Sequence, residues 1–533
     1  DTITFTPTTT RYLRMQGITR GTPYGYSLYS FTVQSPGDLA LNHIASASST
    51  ETPALSASLA FDGKPATRWS SAYNNNESIQ VDLGTAQSVG SVALTWEAAY
   101  GRDYDIQAST NGTDWTTTLF QRRGHVGAGT DTITFTPTTT RYLRMQGITR
   151  GTPYGYSLYS FQVYSGAPQR VAAWTAGLGG GGQSFTNQTI RMVAHSTVAG
   201  SQVRVRLSNL YGTTPLNIGA VDVALQSSGG TAVAGSHQSV KFAGAATATI
   251  PTGGDLTSDP IPMSVNADQD LLVSVYLPNA TGPSTLHLEA WDTTYISSPG
   301  NHVSDDATVN YPTTSSSWFD LAGLDVLSPT AAGTVVAIGD SITDGSHSTS
   351  GANRRWPDDL ARRLNANGLT TRGVVDAGIG GNKVLTDGTS NPSLLNRFAH
   401  DALGQPGVKE IILLEGINDI GNGPPSAQQI ITGYQTVIGQ AHAQGVKIYG
   451  GTILPDQGSG YYSPPKESVR AAVNDWIRTS GAYDAVIDFD AVMRDSSNPL
   501  ALNPLYDSGD HLHPNDAGYQ AMANAVDLNL LSP

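Results

Sequence analysis

The sequence predicts a multidomain chain in which N-terminal β-sandwich modules precede a C-terminal α/β domain with a parallel sheet. Three observations predict this architecture. The length of 533 residues suits three or four domains of ordinary size. One stretch of the sequence recurs after 130 residues. Near residue 330 the hydrophobic pattern changes from short strands with turns to strands that alternate with helices.

The recurring stretch is residues 1–31, which return unchanged as residues 131–161. A period of this length is that of a whole domain. Residues 38–165 are therefore predicted to be a complete module, and residues 1–35 the C-terminal fragment of another copy. Such a fragment cannot bury enough surface to fold alone. We expect a processed or truncated product of a tandem-module protein, or upstream residues missing from this sequence. Strand exchange with a neighbouring molecule is an open alternative.

Two stretches read as β-sandwiches. Residues 38–165 contain alternating runs such as SIQVDLG, and Asn111-Gly112 is a hairpin signal. Residues 170–328 contain VDVALQS and LLVSVYLP between Gly, Pro and Asn turns, which indicates a second sandwich of jelly-roll type. No ligand site can be read in the second sandwich. Its packing against the following domain, where it would shape the cleft, is a hypothesis.

Residues 330–533 contain the apolar runs TVVAIGD, EIILLEGI and VKIYGGTIL, which alternate with helical stretches. This order predicts right-handed βαβ units and a doubly wound parallel sheet. In such sheets the chemistry lies beyond the carboxyl ends of the strands. A functional motif should therefore follow an apolar run directly.

Four motifs in this domain meet that condition or open the last helix. They are Gly339-Asp340-Ser341, Gly380-Gly381-Asn382, Gly416-Ile417-Asn418-Asp419 and Asp510-His511-Leu512-His513. In this order the four blocks resemble those of the SGNH/GDSL hydrolases, over about residues 334–533. The resemblance implies an α/β/α flavodoxin-like fold. It also implies a hydrolase of the type found among secreted bacterial esterases.

The residue types indicate nucleophilic catalysis. The hydroxyl of Ser341 needs an adjacent base, for which His513 is the candidate, and Asp510 can orient the imidazole. The resemblance implies an oxyanion hole made by the backbone N–H groups of Ser341 and Gly381 and the side-chain amide of Asn418. Each residue has a structural alternative, because Ser341 and Asp510 are also typical helix caps. His511 is expected at the surface or rim.

Other residues of this domain receive secondary roles. Asn382, Tyr461 and Tyr462 are predicted to line the acyl or alcohol pocket, with packing as the alternative for the two tyrosines. Asp340 and Asp419 are predicted to hold loops. The eleven histidines are scattered, so we expect no metal or other cofactor in catalysis.

Residues 38–165 carry ASLAFDGKPATRWSSA, then SIQVDLG, then RYLRMQG and SLYSFQVY. These blocks resemble the discoidin-like modules grouped with carbohydrate-binding family 32, whose members bind sugar at the loops of one end. Trp69 and Trp115 are expected in the core. The candidates for carbohydrate contact are Trp96, Glu97, Tyr100, Arg102, Tyr154 and Tyr156.

A structural calcium ion is also implied by this resemblance, at the loop that contains Asp62 and Thr67. Oxygen ligands are those that a hard cation takes. The alternative for the same residues is an Asx-type turn at Asp62-Gly63.

Composition excludes several classes of function. The net charge of −14 and the lack of Lys or Arg runs argue against nucleic-acid binding. Without any cysteine the chain has no disulfide and no thiolate chemistry. No apolar run approaches the length of a transmembrane helix. The first residues lack signal-peptide features, and we expect a signal peptide to have been removed from a secreted, extracellular protein.

The leading hypothesis is an extracellular serine carboxylester hydrolase that deacylates, and specifically deacetylates, a polysaccharide or other glycan bound by the module. One alternative is a secreted lipase or phospholipase. Others are a glycan-cleaving enzyme on the same scaffold and a non-catalytic glycan-binding adhesin. The acyl group, the alcohol and the oligomeric state are left open.

Overall fold

The computed structural model describes residues 38–165, 169–328, 331, 333–366, 372–423 and 425–531. The predicted module fragment at residues 1–35 lies outside this part of the chain. The described residues form two compact units, which divide between residues 165 and 169.

The first unit is an antiparallel β-structure. Its strands are β1 (Ile44–Ala47), β2 (Trp69–Ser70), β3 (Ser78–Trp96), β4 (Gly101–Ser109), β5 (Thr117–Arg122), β6 (Gly129–Arg150) and β7 (Ser157–Ser165). The strand order is β2-β7-β3-β6-β4-β5, and β1 pairs with β3. Ile79, Val81 and Leu83 alternate with more exposed residues along β3 and are buried. Alternation of this kind is what one apolar core on one face of a sheet requires.

The second unit begins with a β-sandwich. Its strands are β8 (Gln169–Thr175), β9 (Gln188–Ser196), β10 (Val203–Ser208), β11 (Leu216–Ile218), β12 (Ala220–Ser228), β13 (Thr231–Ala232), β14 (Gln238–Ser239), β15 (Ala248–Ile250), β16 (Asp255–Thr257), β17 (Gln269–Leu277), β18 (Leu286–His287), β19 (Thr294–Pro299), β20 (Thr313–Ser315), β21 (Trp318–Phe319) and β22 (Leu321–Ser328). A four-stranded sheet, β16-β10-β22-β8, and a seven-stranded sheet built around β12-β17-β9-β19 contribute to one apolar core. All of their strand pairs are antiparallel.

An α/β domain completes the second unit. Its strands are β23 (Gly333–Gly339), β24 (Arg372–Gly378), β25 (Val408–Leu414), β26 (Lys447–Gly451) and β27 (Ala485–Ile487). Its helices are α1 (Ser341–Asp344), α2 (Trp356–Ala366), α3 (Leu394–Phe398), α4 (Ile417–Asn422), α5 (Ala427–Ala443), α6 (Pro464–Thr479), α7 (Phe489–Met493) and α8 (Asp516–Ala525). Every residue of β23 is buried, as expected for a central strand covered on both faces.

The five strands form one parallel sheet in the order β24-β23-β25-β26-β27. This is the flavodoxin-like order, in which the chain leaves β23 towards one side and returns at β25 on the other. Ligand sites in such sheets lie at this switch point. Ser341 follows β23 and Asn418 follows β25, so both lie at it. The predicted fold class is confirmed.

The sandwich and the α/β domain share a packed boundary within the second unit. Ala172 of β8 belongs to the apolar core of the α/β domain. Its backbone N–H donates to the hydroxyl of Thr334 and to the carbonyl of Pro406, each at 3.1 Å. Among the helices of the described residues, none has the length and apolar character needed to span a membrane.

Candidate functional site

Ser341 is the first residue of α1, directly beyond the end of β23. Asp340 caps this helix, since its carboxylate accepts the N–H of Ile342 at 3.0 Å. Ser341 is therefore not the cap, and its hydroxyl is free for another partner. Its Oγ lies 2.9 Å from Nε2 of His513, which is hydrogen-bonding distance for proton transfer.

The imidazole of His513 is held from its other side. Its Nδ1 donates to Oδ2 of Asp510 at 2.6 Å, which leaves Nε2 to accept the serine proton. Burial alone would raise the pKa of Asp510, but hydrogen bonds from the ring and N–H of His513 and the N–H of Leu512 lower it. The carboxylate therefore stays charged beside the imidazole. Asn515, and not Asp510, caps α8.

The neighbouring acidic and histidine residues have structural roles. Asp419 accepts the backbone N–H groups of Val384 and Leu385 at 2.8 and 3.1 Å, which holds the loop after β24. Burial raises the pKa of Asp340 well above its usual range. His511 lies at the surface and its Nδ1 contacts Asp507 at 2.6 Å, so it is not the partner of Ser341.

Asn418 presents a donor without a partner. Its Nδ2 is buried and has no hydrogen-bond partner among the described residues, whereas its Oδ1 accepts the hydroxyl of Tyr461 at 3.0 Å. A buried N–H group without a partner is costly to maintain. An oxyanion that forms during the reaction would satisfy it.

Gly381 stands where the loop after β24 turns. Its φ of +71° is a conformation that favours glycine. A Cβ at this position would meet no described atom within 4 Å, so the backbone borders open space. The preceding N–H, that of Gly380, donates to Oδ2 of Asp344 at 3.0 Å.

The prediction that Asn382 lines the substrate pocket is wrong. Its side chain is buried and bonded within the protein at both ends of the amide, because Nδ2 donates to the carbonyl of Pro392 at 2.7 Å and Oδ1 accepts Nε of Arg397 at 2.8 Å. Arg397, which sequence reasoning missed, also donates to the carbonyls of Ala377 and Gly339 at 2.6 and 2.8 Å. It thereby ties together the ends of the two strands that precede Ser341 and Gly381.

The two predicted pocket tyrosines differ in their contacts. Tyr461 is tied to Asn418 and also accepts Nδ2 of Asn422 at 3.0 Å. The hydroxyl of Tyr462 accepts a longer contact, 3.4 Å, from Nε2 of Gln457. The geometry thus gives Tyr461 a positioning role for Asn418 and leaves Tyr462 partly exposed near the same loop.

His347 is a further residue at this site that the sequence did not reveal. Its Nε2 lies 3.3 Å from Oδ2 of Asp510, and its ring lies 5.3 Å from that of His513. Ligand atoms of these three residues lie within 4.8 Å of one another, so they could bind a metal ion together. His347 is distant in sequence from the other two, and no spacing motif marks it.

In the first unit, two predicted sugar contacts are wrong. Trp96 is 1% exposed and Tyr156 is fully buried, and both belong to the apolar core. The hydroxyl of Tyr156 donates to the carbonyl of Asn75 at 2.6 Å. Trp69 is buried as expected, whereas Trp115 is only partly buried, with the guanidinium of Arg144 4.4 Å from its ring centre.

Tyr154, in contrast, is 60% exposed on the loop after β6. Tyr73, which sequence reasoning missed, is 50% exposed, and the two ring centres are 5.9 Å apart in an edge-to-face arrangement. The hydroxyl of Tyr73 donates to Glu51 at 2.7 Å. Nη1 of Arg150 donates to the carbonyl of Tyr154 at 3.0 Å. Exposed rings with polar neighbours are typical of sugar-binding surfaces.

The other three candidates are Glu97, Tyr100 and Arg102. The carboxylate of Glu97 accepts the N–H of Ala99 at 3.0 Å, and the carbonyl of Tyr100 accepts the N–H of Gly151 at 2.9 Å. The first contact lies within the loop after β3, and the second joins that loop to the loop that carries Tyr154. Arg102 is exposed and pairs with Asp103 at 3.6 Å.

Asp62 and Thr67, the residues of the predicted calcium loop, are in direct contact. The hydroxyl of Thr67 lies 2.8 and 2.9 Å from the two carboxylate oxygens of Asp62 and 3.0 Å from the carbonyl of Lys64. These oxygens are ligands of the kind that Ca²⁺ takes. The N–H of Lys64 donates to Asp62 at 2.9 Å, which is also the Asx turn of the alternative interpretation.

Two protein-family models match separate parts of the chain. The model of the GDSL-like Lipase/Acylhydrolase family matches residues 337–521. The model of the F5/8 type C domain matches residues 44–161. None of the curated proteins matches the chain.

Among solved structures, the chain is similar to chitosan-binding module 1 of a chitosanase/glucanase from Paenibacillus sp. IK-5, with 48% identity over 24% of this chain and 99% of that chain, and a TM-score of 0.23. Module 2 of the same enzyme, in complex with chitotriose, is 43% identical over 24% of this chain and 99% of that chain, with a TM-score of 0.23. A protein of the G-D-S-L family from Desulfitobacterium hafniense DCB-2 is 21% identical over 36% of this chain and 96% of that chain, with a TM-score of 0.29.

The chain thus carries a GDSL-like lipase/acylhydrolase domain in residues 337–521 and an F5/8 type C domain in residues 44–161.

Proposed function

We propose that the chain is an extracellular serine carboxylester hydrolase that removes acyl groups, acetyl in particular, from a glycan. The observation that carries this proposal is the hydrogen-bonded series from Ser341 to His513 to Asp510, with distances of 2.9 and 2.6 Å. A serine, a base and an orienting carboxylate in this arrangement are the requirements for acyl transfer.

The reaction follows from these contacts. Nε2 of His513 takes the proton of Ser341 while Oγ bonds to the ester carbonyl carbon, and the carbonyl oxygen becomes an oxyanion. The backbone N–H groups of Ser341 and Gly381 and Nδ2 of Asn418 stabilise that charge. When the oxyanion collapses, the bond to the sugar oxygen breaks and His513 returns the proton to it. Water then repeats these steps on the acyl-serine and releases the carboxylic acid.

The sugar-binding part of the proposal rests on the first unit. Tyr73 and Tyr154 offer exposed ring faces, and Glu51 and Arg150 offer polar atoms beside them. Sugars bind proteins through contacts of both kinds, an apolar ring face and hydrogen bonds to hydroxyls. Because the names of two similar modules include chitosan, chitosan oligosaccharides belong in the first set of ligands to be tested.

We also propose that Asp62 and Thr67 help to bind a structural calcium ion in this unit. Bound calcium would stabilise the folded module by mass action. The melting temperature of the first unit should then rise with CaCl₂ and fall with a chelator. In Asp62→Ala the melting temperature should not respond to either addition.

A substrate panel tests the proposed reaction. It compares acetate release from acetylated polysaccharides with hydrolysis of short nitrophenyl esters, long-chain esters and phospholipids. The proposal predicts acetate release by the native chain and none by Ser341→Ala. Much faster cleavage of long-chain esters or phospholipids would favour a lipase or phospholipase. Glycan cleavage that survives in Ser341→Ala would favour a glycan-cleaving enzyme.

A further inference from the structure

A buried histidine of the β-sandwich contacts the α/β domain within the second unit. This residue, His287, ends the short strand β18, which pairs with β21. Its side chain is 3% exposed, and its ring lies 5.1 Å from that of Trp318. Buried polar atoms normally have hydrogen-bond partners. The partners of the two ring nitrogens therefore indicate the role of this residue.

Both ring nitrogens of His287 face acceptors. Nδ1 lies 2.7 Å from the carbonyl of Gly177, and Nε2 lies 3.0 Å from Oδ1 of Asp344 and 3.1 Å from the carbonyl of Glu289. A neutral imidazole has only one N–H group to donate. The arrangement therefore favours the imidazolium, in a buried ion pair with Asp344.

The charged groups around the ring support this protonation state. Burial alone would lower the pKa of His287, but the charge of Asp344 and the hydrogen bonds to Asp344 and Gly177 raise it above its usual value. The guanidinium of Arg355 opposes this effect. Arg355 is itself held by the carbonyl of Ala290 and by the ring of Trp318, whose centre is 5.3 Å away.

Asp344 connects this histidine to the loop that follows β24. It is the last residue of α1, the helix that begins with Ser341. Its second carboxylate oxygen, Oδ2, accepts the N–H of Gly380 at 3.0 Å. Gly380 precedes Gly381, whose N–H is one of the three oxyanion donors in the proposed reaction.

We propose that His287 is a positioning residue of the active site, which holds Asp344 and, through it, the Gly380–Gly381 segment that donates to the oxyanion. The β-sandwich is then a component of the catalytic site rather than a separate module. This inference rests on the proposed function. Asp344 can accept from Gly380 and from His287 at once only while its carboxylate is fixed between them.

The inference predicts an effect on the transition state and little effect on substrate binding. Without the His287 donor, Asp344 loses one of its two fixed contacts, and the Gly381 N–H is less well placed for the oxyanion. Because that charge develops in the transition state and is absent from the bound ester, kcat should fall while KM changes little. The loss should be smaller than the roughly 10²–10³-fold loss that removal of a whole oxyanion donor causes.

It also predicts a loss of activity at alkaline pH. Deprotonation of His287 removes one of its two N–H donors, and the ion pair with Asp344 disappears. In Asp344→Asn, the amide can still accept from Gly380 through Oδ1 and can donate through Nδ2 to a neutral His287. This variant should therefore lack the alkaline decline that depends on the ion pair, and its kcat at high pH should match its own kcat at neutral pH.

The experiment measures kcat, KM and the pH profile of nitrophenyl acetate hydrolysis for the native chain, His287→Phe and Asp344→Asn. The control is His302→Phe, which removes another histidine of the same sandwich, one that pairs with Asp305 at 3.1 Å. Melting temperatures and an active-site titration with a serine-directed phosphonate correct each rate for the fraction of folded, competent enzyme.

The expected result is a fall in kcat of roughly tenfold or more in His287→Phe, with KM within about twofold of the native value, and an unchanged kcat in His302→Phe. The inference is overturned if corrected kcat is native in His287→Phe, or if Asp344→Asn keeps the alkaline decline of the native chain. The variant Ser341→Ala distinguishes failure of the proposed function from failure of the role of His287. If that variant keeps full activity the proposed function fails, whereas an inactive Ser341→Ala beside a fully active His287→Phe rejects only the role of His287.

Discussion

The hydroxyl of Tyr461 donates a hydrogen bond of 3.0 Å to Oδ1 of Asn418. This contact decides which end of the amide remains available, because Nδ2 of Asn418 is then the atom without a hydrogen-bond partner in the part of the chain that the structure describes. A loop tyrosine thus orients Asn418, the proposed oxyanion donor, which lies on a different element, α4.

Tyr461→Phe is expected to lower kcat by about tenfold with little change in KM, since the amide of Asn418 loses its orientation but not its donor. Tyr462→Phe is the matched control, because the hydroxyl of Tyr462 makes a long contact of 3.4 Å with Gln457 and none with Asn418 among the described residues. Steady-state kinetics on a short nitrophenyl ester measures both. Equal losses in the two variants would show that orientation of Asn418 by Tyr461 does not contribute to the rate.

Zinc ions are expected to inhibit the enzyme through His347, Asp510 and His513, whose ligand atoms lie within 4.8 Å of one another. Binding would remove the base from Ser341, so saturating zinc should lower the rate by roughly 10²-fold or more, and a chelator should restore it. His347→Gln removes one ligand and leaves the Ser341–His513 contact in place. Zinc sensitivity in His347→Gln equal to that of the native chain would contradict this assignment.

Replacement of Arg397 is expected to destabilise the α/β domain. Its buried guanidinium donates to the carbonyls of Gly339 and Ala377 and to Asn382, and its Nη1 lies 3.1 Å from Asp401. Removal of one member of a buried charge pair typically costs about 3–5 kcal/mol. Arg397→Met should lower the free energy of unfolding by such an amount in urea denaturation. Arg397→Lys keeps the charge and should lose less, and a native free energy of unfolding in Arg397→Met would refute the expectation.

The stability of the second unit should fall as the pH rises towards 8, in part because of Asp320. Burial raises the pKa of its carboxyl to about 8, although the N–H of Thr285 partly opposes the shift. The folded state holds this proton at pH values where the unfolded chain, with an ordinary pKa of about 3.9, has released it. Stability is therefore lost as the pH rises through this window.

Asp320→Asn removes that titration. Its melting temperature should exceed the native one by at least about 2 °C at pH 8.5, and the dependence on pH between 5 and 8.5 should become flatter. Asp475→Asn, at an exposed position on α6, is the control that removes one carboxylate at the surface. An unchanged pH dependence in Asp320→Asn would reject this account.

Sequence patterns predicted those features that depend on strand ends. Ser341, Gly381 and Asn418 each follow an apolar run, and parallel strands bring such positions to one edge of a sheet. The pairing of Asp510 with His513 is local, over three residues. His287, His347 and Arg397 were not predictable in this way, because their contacts join segments that are remote in sequence and no motif relates them.

The wrong predictions in the first unit have a related cause. Trp96 lies at the end of β3 and Tyr156 immediately before β7, where an aromatic residue can point into the core or towards the loops. Only tertiary packing decides between these directions, and here both side chains enter the core. Tyr73 was missed because it lies in a polar stretch, SAYNNNES, that shows no alternation.

The most direct test of the central claim, that Ser341 is the nucleophile activated by His513, is mass spectrometry after treatment with a serine-directed phosphonate. The predicted result is a single adduct on the peptide that contains Ser341, which is absent in Ser341→Ala and forms much more slowly in His513→Ala. An adduct on a different serine, or rapid labelling in Ser341→Ala, would contradict the claim.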